Sequence, residues 1–228
     1  QRTITLEGAA ISALTAAVGP SFAQACRHIL STTGRVVVTG MGKSGHVARK
    51  FSSTLASTGM PSFFVHPGEA SHGDLGMIDK SDAVIAISNS GETPEMSNLL
   101  AYTRRFKIPL LVITSKANST MAEQADAVLV LPKAEEACPM GLAPTTSTTM
   151  SLALGDALAV ALLNRKGFTA TDFKVLHPGG KLGRQLLRIR DIMHEGEEVP
   201  LVPESATMAD VVVEMTRKRF GCVGVQDG

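Results

Sequence analysis

The chain has 228 residues, of which 44% are hydrophobic and 19% are charged, and its formal net charge is +1. These values are typical of a globular protein with one good-sized domain and part of another. The lack of a basic block, the single Tyr and the absence of Trp argue against nucleic-acid binding.

Strand and helix patterns alternate after a helical start. Residues 4–18 and 22–32 carry apolar residues at helical spacing and predict a helical hairpin, with no signal-peptide pattern before it. Short apolar runs predict strands at 36–38, 62–65, 83–88, 110–114 and 127–131, and helical patterns lie at 47–58, 94–106 and 119–125. Strands alternating with helices predict a parallel sheet covered on both faces, a three-layer α/β/α sandwich with five strands.

Ligands bind such sheets beyond the carboxyl ends of the strands. This rule selects the turns that follow Thr39, Val65, Ser88 and Thr114. We therefore expect the functional residues in these four turns.

The first turn, residues 40–45, contains three glycines together with Lys43 and Ser44. Glycines let the backbone turn sharply into a helix, whose N-terminus attracts anions, so the turn predicts a phosphate cradle. A dinucleotide site would need an acidic residue roughly 20 positions on, at the end of the second strand, and none is there. A P-loop would need a glycine where this chain has Val37.

The third turn, residues 88–93, supplies Ser88, Ser90 and Thr93 immediately before Pro94. Pro is well placed as the first residue of a helix. Helix capping is one interpretation, because Ser and Thr are common N-caps. Three hydroxyls and a glycine in six residues favour a second phosphate cradle.

A run of Thr and Ser at 145–149 opens a long apolar helix to about residue 163. Two interpretations stay open: a capped helix buried in the core or a subunit interface, and a site for substrate hydroxyls. The apolar stretch 150–163 contains Asp156 and is too short to span a bilayer.

Hydroxyl- and glycine-rich turns on one parallel sheet resemble the sugar isomerase (SIS) domain family. Within it, five blocks resemble the arabinose 5-phosphate isomerases: GMGKSGH at 40–46, FFVHPGEASHGDLGM at 63–77, SNSGE at 88–92, EEACPMGLAPTTSTT at 135–149 and HPGGKLGR at 177–184. The resemblance implies an SIS domain over 1–183 that interconverts D-ribulose 5-phosphate and D-arabinose 5-phosphate through an enediolate. Its product would supply 3-deoxy-D-manno-octulosonate for lipopolysaccharide.

The resemblance also implies four catalytic residues: Lys43, Glu95, Glu136 and His177. Proton transfer at carbon is expected from Glu95 or Glu136, and charge stabilisation from Lys43. Ring opening or oxygen protonation falls to His177 or His72. His177 precedes a constrained Pro-Gly-Gly turn and is expected to reach a neighbouring subunit's site.

The turn after the second strand holds His66 and His72, which we expect to contact substrate. The preceding loop, Gly59 and Met60, is expected to line the same pocket. His66 and His72 also suggest a Zn²⁺ site, but the spacing is not that of a structural zinc motif, so an adventitious or inhibitory ion is favoured. Enediolate chemistry requires no cofactor.

The tail, residues 184–228, resembles a linker and an incomplete first CBS repeat, with a helix at 208–219 and a strand at 222–225. Cys26, Cys138 and Cys222 are few and far apart, which fits a reducing cytoplasm. We expect a cytoplasmic protein with no nucleic-acid or membrane partner.

Two other functions stay open. One is a sensory SIS module; in transcription regulators a helix-turn-helix precedes it, and the first 34 residues here are too short and too poor in basic residues for one. The other is an isomerase of another sugar phosphate, such as a hexulose 6-phosphate. The apolar surface of the first hairpin and of the helix after 149 exceeds what one core requires, which predicts a homo-oligomer, and the resemblance implies a homotetramer.

Overall fold

The computed structural model describes residues 1–177 and 187–227. The first of two compact units is Gln1–His177. Its helices are α1 (Arg2–Ala13), α2 (Pro20–Ser31), α3 (Gly42–Ser57), α4 (Pro67–Ala70), α5 (Ser97–Phe106), α6 (Thr120–Glu123), α7 (Thr146–Lys166) and α8 (Ala170–Leu176). Its strands are β1 (Val36–Gly40), β2 (Ser62–Val65), β3 (Ala83–Ile87), β4 (Leu110–Thr114) and β5 (Ala127–Val130). The expected domain boundary at 183 and 184 lies outside the described residues.

The five strands form one parallel sheet in the order β2-β1-β3-β4-β5. The predicted bounds of β2 and β4 are confirmed, and the other three strands differ from prediction by one or two residues at one end. The strand order reverses between β1 and β3, where the connections leave toward opposite sides. A crevice is expected beyond the carboxyl ends of the strands at such a point.

Each face of the sheet carries its own hydrophobic core. Val36 and Val38 of β1 point into a cluster with α1, α2, α3 and α7, whereas Val37 points into a cluster with α4, α5 and α6. All five residues of β1 are buried, as expected for a strand covered on both faces. The predicted three-layer sandwich is therefore confirmed.

Helix α3 begins at Gly42, five residues before the predicted start at 47. The backbone of α3 packs directly on the end of β1, because a Cβ on Gly45 would lie 2.6 Å from the carbonyl oxygen of Gly40. A Cβ on Gly40 would lie 2.8 Å from the backbone of Ser44. The two glycines thus permit the close approach of strand and helix that makes the turn tight.

Helix α7 is long and apolar enough to cross a membrane by length and composition, which corrects the expectation that this segment is too short. Its apolar residues Leu154, Leu158 and Leu162 are fully buried in the core of the first unit. Phe51 of α3 packs against Gly155 of α7, where a Cβ would lie 3.1 Å from the ring. In this structure α7 is a core helix.

The second unit is described over residues 187–227. Strands β6 (Leu201–Pro203) and β7 (Gly224–Gln226) pair in parallel, and α9 (Met208–Lys218) connects them. A capping box between Thr207 and Asp210 begins α9. The predicted helix is confirmed to within one residue, and the predicted strand begins two residues later than expected.

The close packing at Gly45 predicts a specific sensitivity. We expect Gly45→Ala to lower the free energy of unfolding by about 1–3 kcal/mol, because α3 must move away from β1 to admit a methyl group. Gly8→Ala is the matched control, since Gly8 is also helical and has open space around its Cβ direction. That substitution should stabilise the protein by up to about 1 kcal/mol. Urea unfolding of both variants provides the measurement. Equal changes in the free energy of unfolding for the two variants would contradict the close packing at Gly45.

Candidate active site

The first and third turns lie next to each other, because β1 pairs with β3. The hydroxyl of Thr39, near the end of β1, lies 3.9 Å from Sδ of Met96, just beyond the 88–93 turn. The two predicted cradles therefore flank the reversal point of the sheet. This is the position at which an open α/β sheet binds its ligand.

The N-terminus of α3 has no side-chain cap. Its N-cap, Met41, is extended, and Gly42 has φ +55°, which favours glycine. Lys43 is exposed and has no ion pair within the described part of the chain. Unpaired backbone N–H groups and a free ammonium group make this end of the helix suited to an anion.

The hydroxyls of the 88–93 turn shape the turn and do not cap a helix. Ser88 and Thr93 share a hydrogen bond of 2.8 Å between their hydroxyls. The N–H of Gly91 donates to Ser88 Oγ at 3.0 Å, and the N–H of Glu92 donates to Ser90 Oγ at 3.2 Å. Thr93 stands at the N-cap position without a side-chain cap bond, so the capping interpretation is not what the structure shows.

Glu95 lies in the short 3₁₀ helix Pro94–Met96 that follows this turn. Its side chain is exposed, and across residues 1–177 and 187–227 it has no hydrogen-bond or ion-pair partner. Glu95 is therefore a free carboxylate next to the second cradle.

Glu136 holds the start of α7. Its Oε2 accepts hydrogen bonds from the N–H of Thr145 at 2.7 Å, from the Thr145 hydroxyl at 3.0 Å and from the N–H of Ser147 at 3.4 Å. Thr145 Oγ1 in turn accepts the N–H of Ala137 at 2.9 Å. Thr145 thus has a structural role, while Thr146 Oγ1 is buried with no partner in the described residues.

These contacts keep Glu136 ionised. Partial burial acts to raise the pKa of its carboxyl group, but hydrogen bonds from Ser147 and Thr145 outweigh it and hold the pKa below the ordinary value of 4.5. Glu136 is consequently a fixed anion at neutral pH.

Helices α3 and α7 present their N-termini at the same edge. Phe51 lies nine residues after Gly42, and its contact, Gly155, lies nine residues after Thr146. At 1.5 Å per residue, both contacts are about 14 Å from the helix starts. Lys50 of α3 contacts Asp156 of α7, and Lys166 at the end of α7 donates to the carbonyl oxygen of Gly59 just beyond α3, so the two helices run in the same direction. Glu136 therefore lies at the edge of the sheet that carries the cradles.

The turn after β2 adds imidazole groups to this edge. His66 Nδ1 accepts the N–H of Gly68 at 3.2 Å, so Nε2 carries the proton in the neutral ring. The Asn98 amide donates to Ser71 Oγ at 3.0 Å, which connects the turn to the start of α5. His72 follows Ser71 and is exposed. Among the described residues, no three His, Cys, Asp or Glu side chains are grouped to hold a metal ion.

A single chain does not bring Gly59, Met60 and His177 to this edge, which corrects the expectation that Gly59 and Met60 line the same pocket as the cradles. Both residues precede β2 and lie at the amino edge of the sheet, where Met60 is buried in the core. Phe168, in the turn between α7 and α8, packs against Gly59, and a cavity of about 400 Å³ separates this loop from α8. His177 ends α8, stacked 3.9 Å from the Phe173 ring.

Comparison with known proteins agrees with this geometry. The SIS domain model matches residues 8–161. The chain belongs to the SIS domain family. It is 53% identical over all 228 residues to the arabinose 5-phosphate isomerase KdsD of Pseudomonas aeruginosa and 52% identical to KdsD of Escherichia coli O157:H7, and it spans 70% of the length of each. A solved structure from Escherichia coli CFT073, in complex with arabinose 5-phosphate, is 43% identical with a TM-score of 0.74, covering 78% of this chain and 94% of the other.

Sequence reasoning misses two features of this SIS domain. One is the cap that Glu136 provides for α7, since the loop between them is irregular and contains no periodic pattern. The other is the attachment of the 88–93 turn to the segment after β4, through Asn89, Gly91 and Glu92. Residue spacing alone predicts neither contact. The 88–93 turn and the segment after β4 are distant in the chain, and irregular backbone separates Glu136 from the start of α7.

The Glu136 contacts predict a pH-dependent stability. A carboxylate whose pKa is lowered in the folded state stabilises the folded protein at pH values above the ordinary pKa of 4.5. This contribution is lost as the pH falls through the lowered pKa. We expect wild type to exceed Glu136→Gln by about 1 kcal/mol in free energy of unfolding at about pH 6, with the difference vanishing in acid.

The control is Glu135→Gln. Glu135 pairs only with Arg2 among the described residues, and both side chains are more than half exposed, so this change should have little effect. Urea unfolding of the three proteins from acid to neutral pH provides the measurement. A pH-independent difference for Glu136→Gln would contradict the assignment.

Proposed function

We propose that this protein is an aldose-ketose isomerase that interconverts D-ribulose 5-phosphate and D-arabinose 5-phosphate. The observation that carries the proposal is the identity of 51 to 53% over the whole chain with arabinose 5-phosphate isomerases. Two uncapped anion cradles, a free lysine and two carboxylates at one edge of the sheet provide the chemistry. The product serves as precursor of 3-deoxy-D-manno-octulosonate in lipopolysaccharide synthesis.

The phosphate of the sugar is held by neutral donors. In this proposal the hydroxyls of Ser88, Ser90 and Thr93 and the N–H groups at the start of α3 bind the phosphate, with Ser44 adding another hydroxyl. Such donors can bind a phosphate group without a metal ion.

Isomerisation then requires removal of a proton from the carbon beside the carbonyl group. The enediolate that forms carries negative charge on oxygen, which Lys43 stabilises from the first turn of α3. Its ammonium group is suited to this role because no other side chain described in the structure engages it.

Glu95 is favoured as the group that moves the proton between carbons. Glu136 has a lowered pKa and three donors on one oxygen, so it is the weaker base and the more firmly held anion. Glu95 is free of such contacts with the described residues. Glu136 then positions the start of α7 and a substrate hydroxyl.

The remaining acid-base work falls to imidazole groups. His72 lies at the carboxyl edge, where it contacts the open-chain sugar together with His66. His177 lies at the amino edge of the sheet in its own chain. In this proposal it acts in the site of a neighbouring subunit, beside that subunit's cradles.

This arrangement requires a homo-oligomer, and we propose a homotetramer. Exposed apolar residues on the first unit, among them Ile4, Val160 and Val175, support burial against other copies. A monomeric mass by light scattering would contradict the proposal.

No cofactor is required for enediolate chemistry. Zn²⁺ bound through His66 and His72 would inhibit, because it would occupy side chains that contact the sugar. At His66 it would also displace the ring proton or the bond from Gly68.

We also propose an identity for the second unit and a cellular compartment for the protein. The β-α-β arrangement of the second unit supports the proposal that it is the first part of a CBS module. The three cysteines form no disulfide, which supports a reducing cytoplasm. Thiol titration of protein isolated under alkylating conditions tests this, and a disulfide would contradict it.

Incubation with D-ribulose 5-phosphate in D₂O, followed by NMR, tests the function. We expect D-arabinose 5-phosphate with deuterium at C2, unchanged in EDTA. Glu95→Gln should reduce this exchange by at least about 100-fold, the size of a general-base contribution, and more than Glu136→Gln does. Binding without conversion would indicate a sensor, and conversion only of a hexulose 6-phosphate would indicate another substrate.

A further inference from the structure

The second phosphate cradle contains a carboxylate that the proposed reaction does not use. Glu92 lies between Ser90 and Thr93, and its side chain is exposed. A carboxylate among groups that bind phosphate is electrostatically unfavourable, because like charges repel at short range. Its place in the turn therefore needs a reason other than anion binding.

That reason is a contact with the segment after β4. Glu92 Oε1 accepts the N–H of Thr120, the first residue of α6, at 2.8 Å. This hydrogen bond holds the pKa of Glu92 below its ordinary value, so the acceptor stays ionised. The carboxylate is thereby held at the start of α6.

Other contacts join the same two segments. The N–H of Met121 donates to the carbonyl oxygen of Gly91 at 3.2 Å, and the N–H of Ser115 donates to that of Asn89 at 3.1 Å. The Thr114 hydroxyl also donates to the Asn89 carbonyl oxygen, at 3.2 Å. We refer to these contacts, together with the Glu92–Thr120 bond, as the turn clamp.

The packing at Gly91 shows how closely the segments fit. Gly91 has φ +67°, and a Cβ on it would lie 2.0 Å from the hydroxyl of Ser119. Ser119 is buried and caps α6. In the turn clamp, Glu92 supplies the side-chain carboxylate at the end nearest Thr93, while the backbone of Asn89 and Gly91 secures the rest.

We propose that Glu92 is a positioning residue, which holds the 88–93 turn through Thr120 in the shape that binds the substrate's phosphate group. This inference rests on the proposed function for the identity of the substrate. It assigns Glu92 no contact with the sugar. Loss of the bond loosens the hydroxyls that bind phosphate in both the ground state and the transition state, so KM rises while kcat changes little.

The test compares four single variants and one double variant with wild type on D-ribulose 5-phosphate. Glu92→Ala removes the acceptor and should raise KM about tenfold, the effect of one hydrogen bond to a charged group. Glu92→Gln keeps an acceptor and should restore KM to within about threefold of wild type. Glu123→Ala removes a similar exposed charge from α6 outside the clamp and should leave KM unchanged.

The fourth variant, Thr120→Pro, removes the donor from the other side. Proline suits the first position of a helix, and Ser119 is extended with φ −88° and ψ 158°, as a residue before proline requires. It should raise KM as Glu92→Ala does, and the double variant should be no worse than either single one. Additive effects would overturn the inference, as would a loss confined to kcat or a fall in melting temperature that accounts for the loss.

Calorimetry with inorganic phosphate separates this inference from the proposed function. If wild type binds phosphate and fails to isomerise, the reaction is wrong, but the clamp still predicts weaker phosphate binding by Glu92→Ala and not by Glu123→Ala. Equal phosphate binding by wild type and Glu92→Ala would overturn the role of Glu92 whatever the reaction.

Discussion

The parallel direction of the five strands is the constraint on which the site depends. Every connection from a strand to a following helix starts at the carboxyl edge, so helix N-termini with unpaired N–H groups collect there. In this chain α3 and α7 both begin at that edge, and the strand order reverses between β1 and β3, whose following turns are the two cradles. An anion is attracted to this edge by the backbone before any side chain is considered.

Small residues convert this general property into a site. Gly40 and Gly45 let α3 begin directly on β1, and Gly91 lets the 88–93 turn lie against Ser119. Larger side chains at these positions would separate the elements whose backbones carry the donors. The hydroxyls of Ser88 and Ser90 accept N–H groups within their own turn, so the cradle is shaped before a ligand arrives.

The fold can be predicted from the sequence because its signals are local. Buried strands are continuous apolar runs, and the glycine and hydroxyl turns follow them directly. The start of α3 escapes prediction because glycine is a poor helix former, yet at Gly42 and Gly45 close packing outweighs propensity. Helix α7 is also longer than its apolar stretch alone predicts.

The candidate site can be predicted only in part. Lys43, Ser88 and Glu95 follow strand ends, so topology places them together. The sequence places Glu136 in a loop, and its role as a cap depends on Thr145, across an irregular segment. His177 and Gly59 share the amino edge because α7 crosses the sheet, a long-range consequence that residue spacing does not contain.

In the proposed homo-oligomer, one chain supplies the cradles of an active site and another chain supplies His177. Mixing of inactive variants tests it most directly. Lys43→Ala and His177→Ala, denatured together in equal amounts and refolded, should regain about a quarter of wild-type activity, since about half of the randomly formed two-fold pairs contain unlike chains and each such pair has one intact site of two. Lys43→Ala with Glu95→Gln is the control and should stay inactive, because both residues come from the same edge. A mixture of the first pair that assembles and remains inactive would contradict the claim.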